Sequence, residues 1–273
     1  NKNITQILRK YYMDKKEDLY IIDTHAHYDD EAFDEDRDEL LRSFEDAGIK
    51  RVVNIGASMK SSKDSIALSK EYPFVYAVVG IHPSSAKEIN EENILILEKM
   101  LSEEKVVAIG EIGLDYYYDE PEEFLQKKCF RAQLELAKKH DFPVVIHSRD
   151  AAKDTLDILK EFKGVRGVIH CYSYSKEMAR EFIKLGYVLG IGGVITFKNA
   201  KKLEETLNEI SFEDFVLETD CPYLSPVPNR GKRNSSLNLT YIIDRVAQIK
   251  GVSREFIIEK SLENAQRLYP KMK

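Results

Sequence analysis

No apolar run in this 273-residue chain approaches the ~18 residues of a membrane span, and its amino terminus is too polar for a signal peptide. A cytoplasmic protein without a membrane partner is therefore expected. Cysteine is scarce. Cys129, Cys171 and Cys221 fit no zinc-finger spacing, and an odd count suits a reducing compartment. An excess of positive charge is missing too: 41 Lys and Arg against 47 Asp and Glu leave a formal net charge of −6. That balance excludes a protein that coats nucleic acid through broad electrostatics, so any such contact must come from a few local residues. Internal repeats, low-complexity tracts and composition breaks are also absent. One large domain is expected, of a size that single α/β barrels commonly reach.

Two familiar local signatures are lacking as well. The chain has no HExxH, and Gly190-Ile191-Gly192-Gly193 falls short of the GxGxxG that cradles a dinucleotide. That glycine-rich stretch reads as tight turning at a strand end. What is present is ordinary for a globular protein with a sizeable core, with 43% hydrophobic and 32% charged residues. Residues 1–18 are polar and lack a clear amphipathic pattern, and Met13 directly precedes Asp14-Lys15-Lys16-Glu17. They are expected to be an extension to a barrel spanning residues 19–273, with Met13 the native start and Asn1 to Tyr12 dispensable.

From Tyr20 onward short β-branched runs alternate with longer stretches of helical period. Strands are expected at Tyr20–Thr24, Arg51–Gly56, Phe74–Val79, Val106–Gly110, Pro143–His147, Gly167–His170, Tyr187–Ile191 and Phe215–Glu218. Helices are expected at Asp36–Ala47, Ser61–Glu71, Glu91–Ser102, Pro121–His140, Ala151–Phe162, Lys176–Leu185, Ala200–Asn208, Ser236–Lys250 and Ser253–Leu268. Gly48 and Gly186 stand where helices should end, Pro121 where one should open, and Ser253 where one should be capped. Eight strands alternating with helices imply an α/β fold, a (β/α)8 TIM-type barrel with its active site at the carboxyl ends of the strands. The alternative is an open, doubly wound sheet.

Chemistry-bearing residues gather at those ends. The first strand runs into His25 and His27, which share a face on an extended chain and suit a common metal ion. The same spacing also suits two surface histidines. The third strand ends near His82, the fourth near Glu111 and Asp115, the fifth at His147, the sixth at His170 and the eighth at Glu218 and Asp220. Five of the six histidines thus fall at strand ends, and His140 is the exception. One such histidine would be an ordinary structural residue; several on separate strands, with two carboxylates, are hard to explain structurally. Imidazole with carboxylate suits zinc, manganese or a similar first-row ion.

These blocks resemble the TatD-type metal-dependent deoxyribonucleases, within the amidohydrolase-like metal hydrolase barrels. The resemblance rests on Asp23–His27, Val79–Pro83, Gly110–Tyr116, Val145–Asp150, His170–Ser173, Glu218–Pro226 and Arg230–Asn234, and it spans Tyr20 to the carboxyl terminus. It implies a divalent-metal-dependent hydrolase that cleaves phosphodiester bonds in DNA from a single-stranded end with metal-activated water. By matching position, His25, His27, Glu111 and Asp220 would hold one metal. Glu111 would bridge to a second, completed by His147 and His170. Two divalent ions per subunit are expected, drawn from Zn, Mn, Mg, Ni or Co. The chain departs from the family where Ser235 and Ser236 replace an acidic residue and a proline, where Asn229 replaces a common histidine, and at Tyr174. Those departures touch substrate preference rather than the ligands.

A phosphodiester is shielded by its own charge, and a bridging carboxylate such as Glu111 suits two ions that neutralise it. Asp220 is the candidate general base, with plain ligation as the alternative. His82, Arg149, Lys198, Arg230 and Arg233 are the candidate substrate contacts, since guanidinium groups match phosphate bidentately. Tyr116 to Tyr118 could stack on a base, though rim packing is the commoner role. Cys171 and Cys221 are expected to be small packing residues. The rival functions are a metal-dependent ester or amide hydrolase, such as a D-aminoacyl-tRNA deacylase, and a silent metal-binding scaffold.

Overall fold

The computed structural model describes residues 19–272, so the expected extension lies outside the described residues. The strands are β1 (Ile21–Ala26), β2 (Ile49–Ile55), β3 (Val75–Val79), β4 (Val106–Asp115), β5 (Val144–Arg149), β6 (Gly167–Ile169), β7 (Tyr187–Ile191) and β8 (Phe215–Leu217). They form one parallel sheet in the order β1 to β8. The helices are α1 (Arg37–Arg42), α2 (Met59–Glu71), α3 (Glu91–Met100), α4 (Glu123–His140), α5 (Ala152–Glu161), α6 (Lys176–Lys184), α7 (Lys201–Glu209), α8 (Leu239–Lys250) and α9 (Arg254–Leu268). The architecture is the expected (β/α)8 barrel. No helix among the described residues is long and apolar enough to cross a membrane.

Burial follows from the parallel arrangement, because helices cover the outer face and side chains fill the interior. β3 and β4 are buried along their whole length. Val53, Tyr76, Val107, Val145, Val168 and Val216, each from a different strand, belong to one apolar cluster that Leu268, Tyr269 and Met272 join from the chain's end. The larger cluster packs strands against helices, with Leu97, Phe130, Leu134, Phe182 and Leu207 on the helical side. The ring is drawn shut between β8 and β1. Ala26 bridges Cys221 in parallel. His27 N–H donates to the Cys221 carbonyl and Asp220 N–H to the His25 carbonyl, both at 2.9 Å. This closure is what carries Asp220 to the two histidines of β1.

Several element ends differ from expectation. β4 runs five residues past Gly110, so Glu111 lies within a strand and not at its end. Glycines permit this: a Cβ at Gly113 would overlap the His147 carbonyl, and one at Gly110 would sit 2.7 Å from the Val145 Cβ. α1 stops at Arg42, where Ser43 Oγ donates back to the Leu40 carbonyl at 2.7 Å and turns follow to Gly48. α4 opens at Glu123, two residues beyond Pro121. The stretch before α8 begins as a 3-10 turn at Ser236–Asn238. Gly186, at φ +92°, takes the left-handed geometry that ends a helix just after α6, whereas Gly48, at φ +73°, closes the turns between α1 and β2 and ends no helix. Ser253 caps α9 by accepting from Phe256 N–H at 3.2 Å.

Candidate metal centre

Six side chains from five strands, β1, β4, β5, β6 and β8, meet at the barrel mouth. His25 Nε2 and His27 Nε2 stand 3.1 Å apart. Asp220 Oδ1 lies 3.7 Å from the first and 3.4 Å from the second. Glu111 divides its oxygens: Oε2 faces His25 at 3.5 Å and His27 at 3.9 Å, while Oε1 faces His147 Nδ1 at 2.7 Å. His170 Nε2 sits between the two carboxylates, 3.8 Å from Glu111 Oε1 and 3.8 Å from Asp220 Oδ1. Two ligands about 2.1 Å from one tetrahedral ion stand roughly 3.4 Å apart, so these separations suit neighbouring ligands of a shared cation. His25, His27 and Asp220 form one group able to hold an ion, and His25, Glu111 and His170 form another.

Outer contacts fix the rings. His27 Nδ1 lies 3.1 Å from the Ile55 carbonyl, which can only accept, so Nδ1 carries a proton and Nε2 is the nitrogen that faces the cluster. His170 Nδ1 is 3.0 Å from Glu218 Oε1. That same oxygen accepts the Cys171 N–H at 2.6 Å. A Cβ at Gly190 would overlap the Glu218 carboxylate, which gives this glycine its purpose. His147 Nε2 is 3.1 Å from Asp115 Oδ2. Asp23, fully buried, accepts from His25 N–H at 3.2 Å, Thr219 Oγ1 at 2.6 Å and Ser236 Oγ at 2.6 Å. Asp220 adopts φ +57°, a left-handed backbone that Asp tolerates better than most side chains.

The electrostatics are those of acid groups that demand positive charge. Burial opposes ionisation throughout, and neighbouring charges decide the outcome. His170, buried but facing Glu218, Glu111 and Asp220, is pushed up to about 10. His27 is pushed up to about 9 against its burial, chiefly by Asp220 and Glu111. His25 is driven down by burial and by His170, on which its ring stacks at 3.5 Å. Glu111 is held well below the usual carboxylate range despite its burial, by His170, His147 and His25. Asp220 is lowered against its burial by His170 and His27. A divalent ion would supply the same positive charge, and imidazole with carboxylate is the donor set of first-row metals. The residues present fit the group.

Around the cluster lies a cavity of about 390 Å³, lined in part by His27, Ser61, His82, Glu111, His147, His170, Asp220 and Tyr223. Its volume lies within the roughly 300–1,000 Å³ of small-molecule sites. His82 comes closer to the cluster than a rim contact requires. Its Nε2 is 3.8 Å from Glu111 Oε1, and with Glu111 and His147 it forms a further group able to hold an ion. Burial and His147 drive it down to about 3, and Ser84 holds its Nδ1 at 2.7 Å.

The basic candidates divide. Arg149 and Arg230 are exposed. Their guanidinium carbons lie 3.7 Å from the Tyr117 ring centre and 3.8 Å from that of Phe197. Lys198 is exposed just past the 3-10 turn Gly193–Thr196 that follows β7. Arg233 is instead committed to Asp36, with nitrogens 2.7 and 2.5 Å from its two oxygens, and to the Ala32 carbonyl at 2.6 Å. Cys221 is buried, as a packing residue should be, whereas Cys171 is only partly so. Sequence reasoning assigned no partner to His170 or His147. Glu218 and Asp115 were visible beside the ligand candidates, but the side chain each would meet was not.

A family model described as TatD related DNase matches residues 22–270. An uncharacterized metal-dependent hydrolase of Bacillus subtilis, YabD, is 40% identical over 251 residues, covering 91% of this chain and 98% of its own. The Escherichia coli protein YcfH, likewise described as an uncharacterized metal-dependent hydrolase, is 31% identical over 256 residues, covering 92% and 96%. The crystal structure of YJJV, a TatD homolog from Escherichia coli, superimposes with a TM-score of 0.87 at 29% identity, covering 92% and 98%.

Proposed function

The chain belongs to the TatD family of metal-dependent hydrolases, and we propose that it cleaves phosphodiester bonds in DNA, working on single strands from an end. The observation that carries this reading is the two-sided Glu111 carboxylate, one oxygen turned to His25 and His27 and the other to His147. In this reading His25, His27, Glu111 and Asp220 hold one divalent ion, and Glu111, His147 and His170 hold a second. Of the expected ions, Zn, Mn, Ni and Co suit such imidazole and carboxylate ligands better than Mg, which prefers oxygen donors alone. When bound, the ions act as Lewis acids that offset phosphate charge and lower the pKa of water.

The chain's own residues supply the rest. Asp220, ionised at neutral pH and facing the histidines of β1, accepts the proton of the attacking water. Asp115 and Glu218 hold His147 and His170 at their outer nitrogens. Arg149, Arg230 and Lys198 are the cations at the rim that reach phosphate, which lets an acidic protein bind DNA locally. Arg233 contributes to phosphate binding only when its pair with Asp36 opens. Glu218→Gln keeps the shape but weakens the hold on His170. It should reduce metal affinity by about 10- to 100-fold, read by competition with a fluorescent chelator. Unchanged affinity would remove Glu218 from the site's support.

The function is tested on metal-stripped protein reloaded with each ion in turn. Nucleotides should be released from single-stranded DNA in a metal-dependent way, and a chelator should stop the release. Faster hydrolysis of D-aminoacyl-tRNA than of DNA would favour the ester hydrolase. Tight metal binding with no turnover of any substrate would favour the scaffold.

A further inference from the structure

Beside the cluster, the end of β4 sets two tyrosines that the proposed chemistry leaves unused against Arg149, one of its phosphate contacts. Tyr117 and Tyr118 are 58% and 60% exposed, their rings edge to face with centres 4.9 Å apart. Arg149 lies across them, its guanidinium carbon 3.7 Å from the centre of the first ring and 5.6 Å from that of the second. Two adjacent exposed aromatic rings are a poor use of apolar surface unless something covers them. Arg149 also makes no ion pair among the described residues, unlike Arg233 on Asp36. Its charge is available to a ligand.

The group is rooted in the site. Asp115 pairs with Arg149 in the β4–β5 register. One Asp115 oxygen accepts the Tyr117 N–H at 3.0 Å while the other stands 3.1 Å from His147 Nε2. Tyr116 N–H donates to the Arg149 carbonyl at 2.9 Å, and its hydroxyl donates to Asp154 at 2.9 Å. A single carboxylate thus sets both a ligand candidate and the start of the aromatic pair.

We propose that Tyr117, Tyr118 and Arg149 form a platform that stacks a base of single-stranded DNA and holds the adjoining phosphate. The proposal rests on the nuclease reading and names the part of the rim that grips the strand. Aromatic faces accept any base, so the platform confers preference for unpaired strands without sequence preference. A guanidinium already stacked on Tyr117 keeps its N–H edge for phosphate oxygens.

The test compares the wild-type chain with the double variant Tyr117→Leu/Tyr118→Leu. Both side chains are exposed, so the fold should survive, which an unchanged thermal midpoint checks. The probe is a single-stranded oligodeoxynucleotide of about ten nucleotides with one 2-aminopurine near its end, bound in chelator to prevent cleavage. Wild type should quench the 2-aminopurine. The variant should lose the quench and bind roughly tenfold more weakly, with a similar rise in KM and little change in kcat. A strand abasic at that position should bind both proteins alike. Equal quench and affinity in the variant, with the wild type cleaving DNA, would overturn the platform and leave the nuclease reading intact. A wild type that stacks the strand through these tyrosines but cleaves no DNA would support the platform and sink the nuclease reading. No binding of the strand by the wild type would overturn the platform, and the metal-loaded cleavage assay decides the nuclease reading separately.

Discussion

Glu111→Ala should lower turnover of single-stranded DNA by at least about 10³-fold, beyond the roughly 10–100-fold lost when an outer partner of a ligand is removed. Its carboxylate stands within 4 Å of His25, His27, His82, His147 and His170. Removing it leaves those imidazoles without the charge that organises them, and both proposed ions lose a ligand. Metal content should fall with activity, and circular dichroism should show the barrel intact. The apolar clusters that close the barrel do not include Glu111. A variant that keeps near-normal turnover would remove Glu111 from the chemistry, and one that unfolds would make its role structural.

Asp220→Asn should cost about 10²- to 10⁴-fold in kcat, the usual worth of a positioned general base. Asn keeps the size and one ligating oxygen but cannot accept a proton at neutral pH. Metal binding should therefore weaken less than turnover, in contrast to Glu111→Ala. Stopped-flow single-turnover kinetics separate the two effects. Parallel losses of metal and rate would make Asp220 a plain ligand.

Much of this was legible because the barrel turns sequence order into position. Once eight strands are recognised, His25, His27, His147, His170 and Asp220 must meet, since every strand's carboxyl end opens on one face. What stayed hidden depends on side-chain direction. β4 is expected to stop at Gly110 but runs on to Asp115, because Gly110 and Gly113 allow close contact with β5. Asp115 stands close to Glu111 in sequence, but its two-way contact with His147 and Tyr117 comes only with the fold. Arg233 looked free because Asp36, 197 residues away in sequence, is brought to it only by the fold. The serines in place of the acidic residue and proline acquired a role too, as Ser236 donates to the buried Asp23.

The central claim is that donors scattered from His25 to Asp220 jointly grip divalent ions. The most direct measurement is anomalous diffraction from crystals of this chain grown with Mn²⁺ or Zn²⁺. The account predicts anomalous density at the barrel mouth, within about 2.0–2.2 Å of His25, His27, Glu111 and Asp220, with a second peak beside His147 and His170. Ions bound only elsewhere, or none among these side chains at saturating metal, would contradict it.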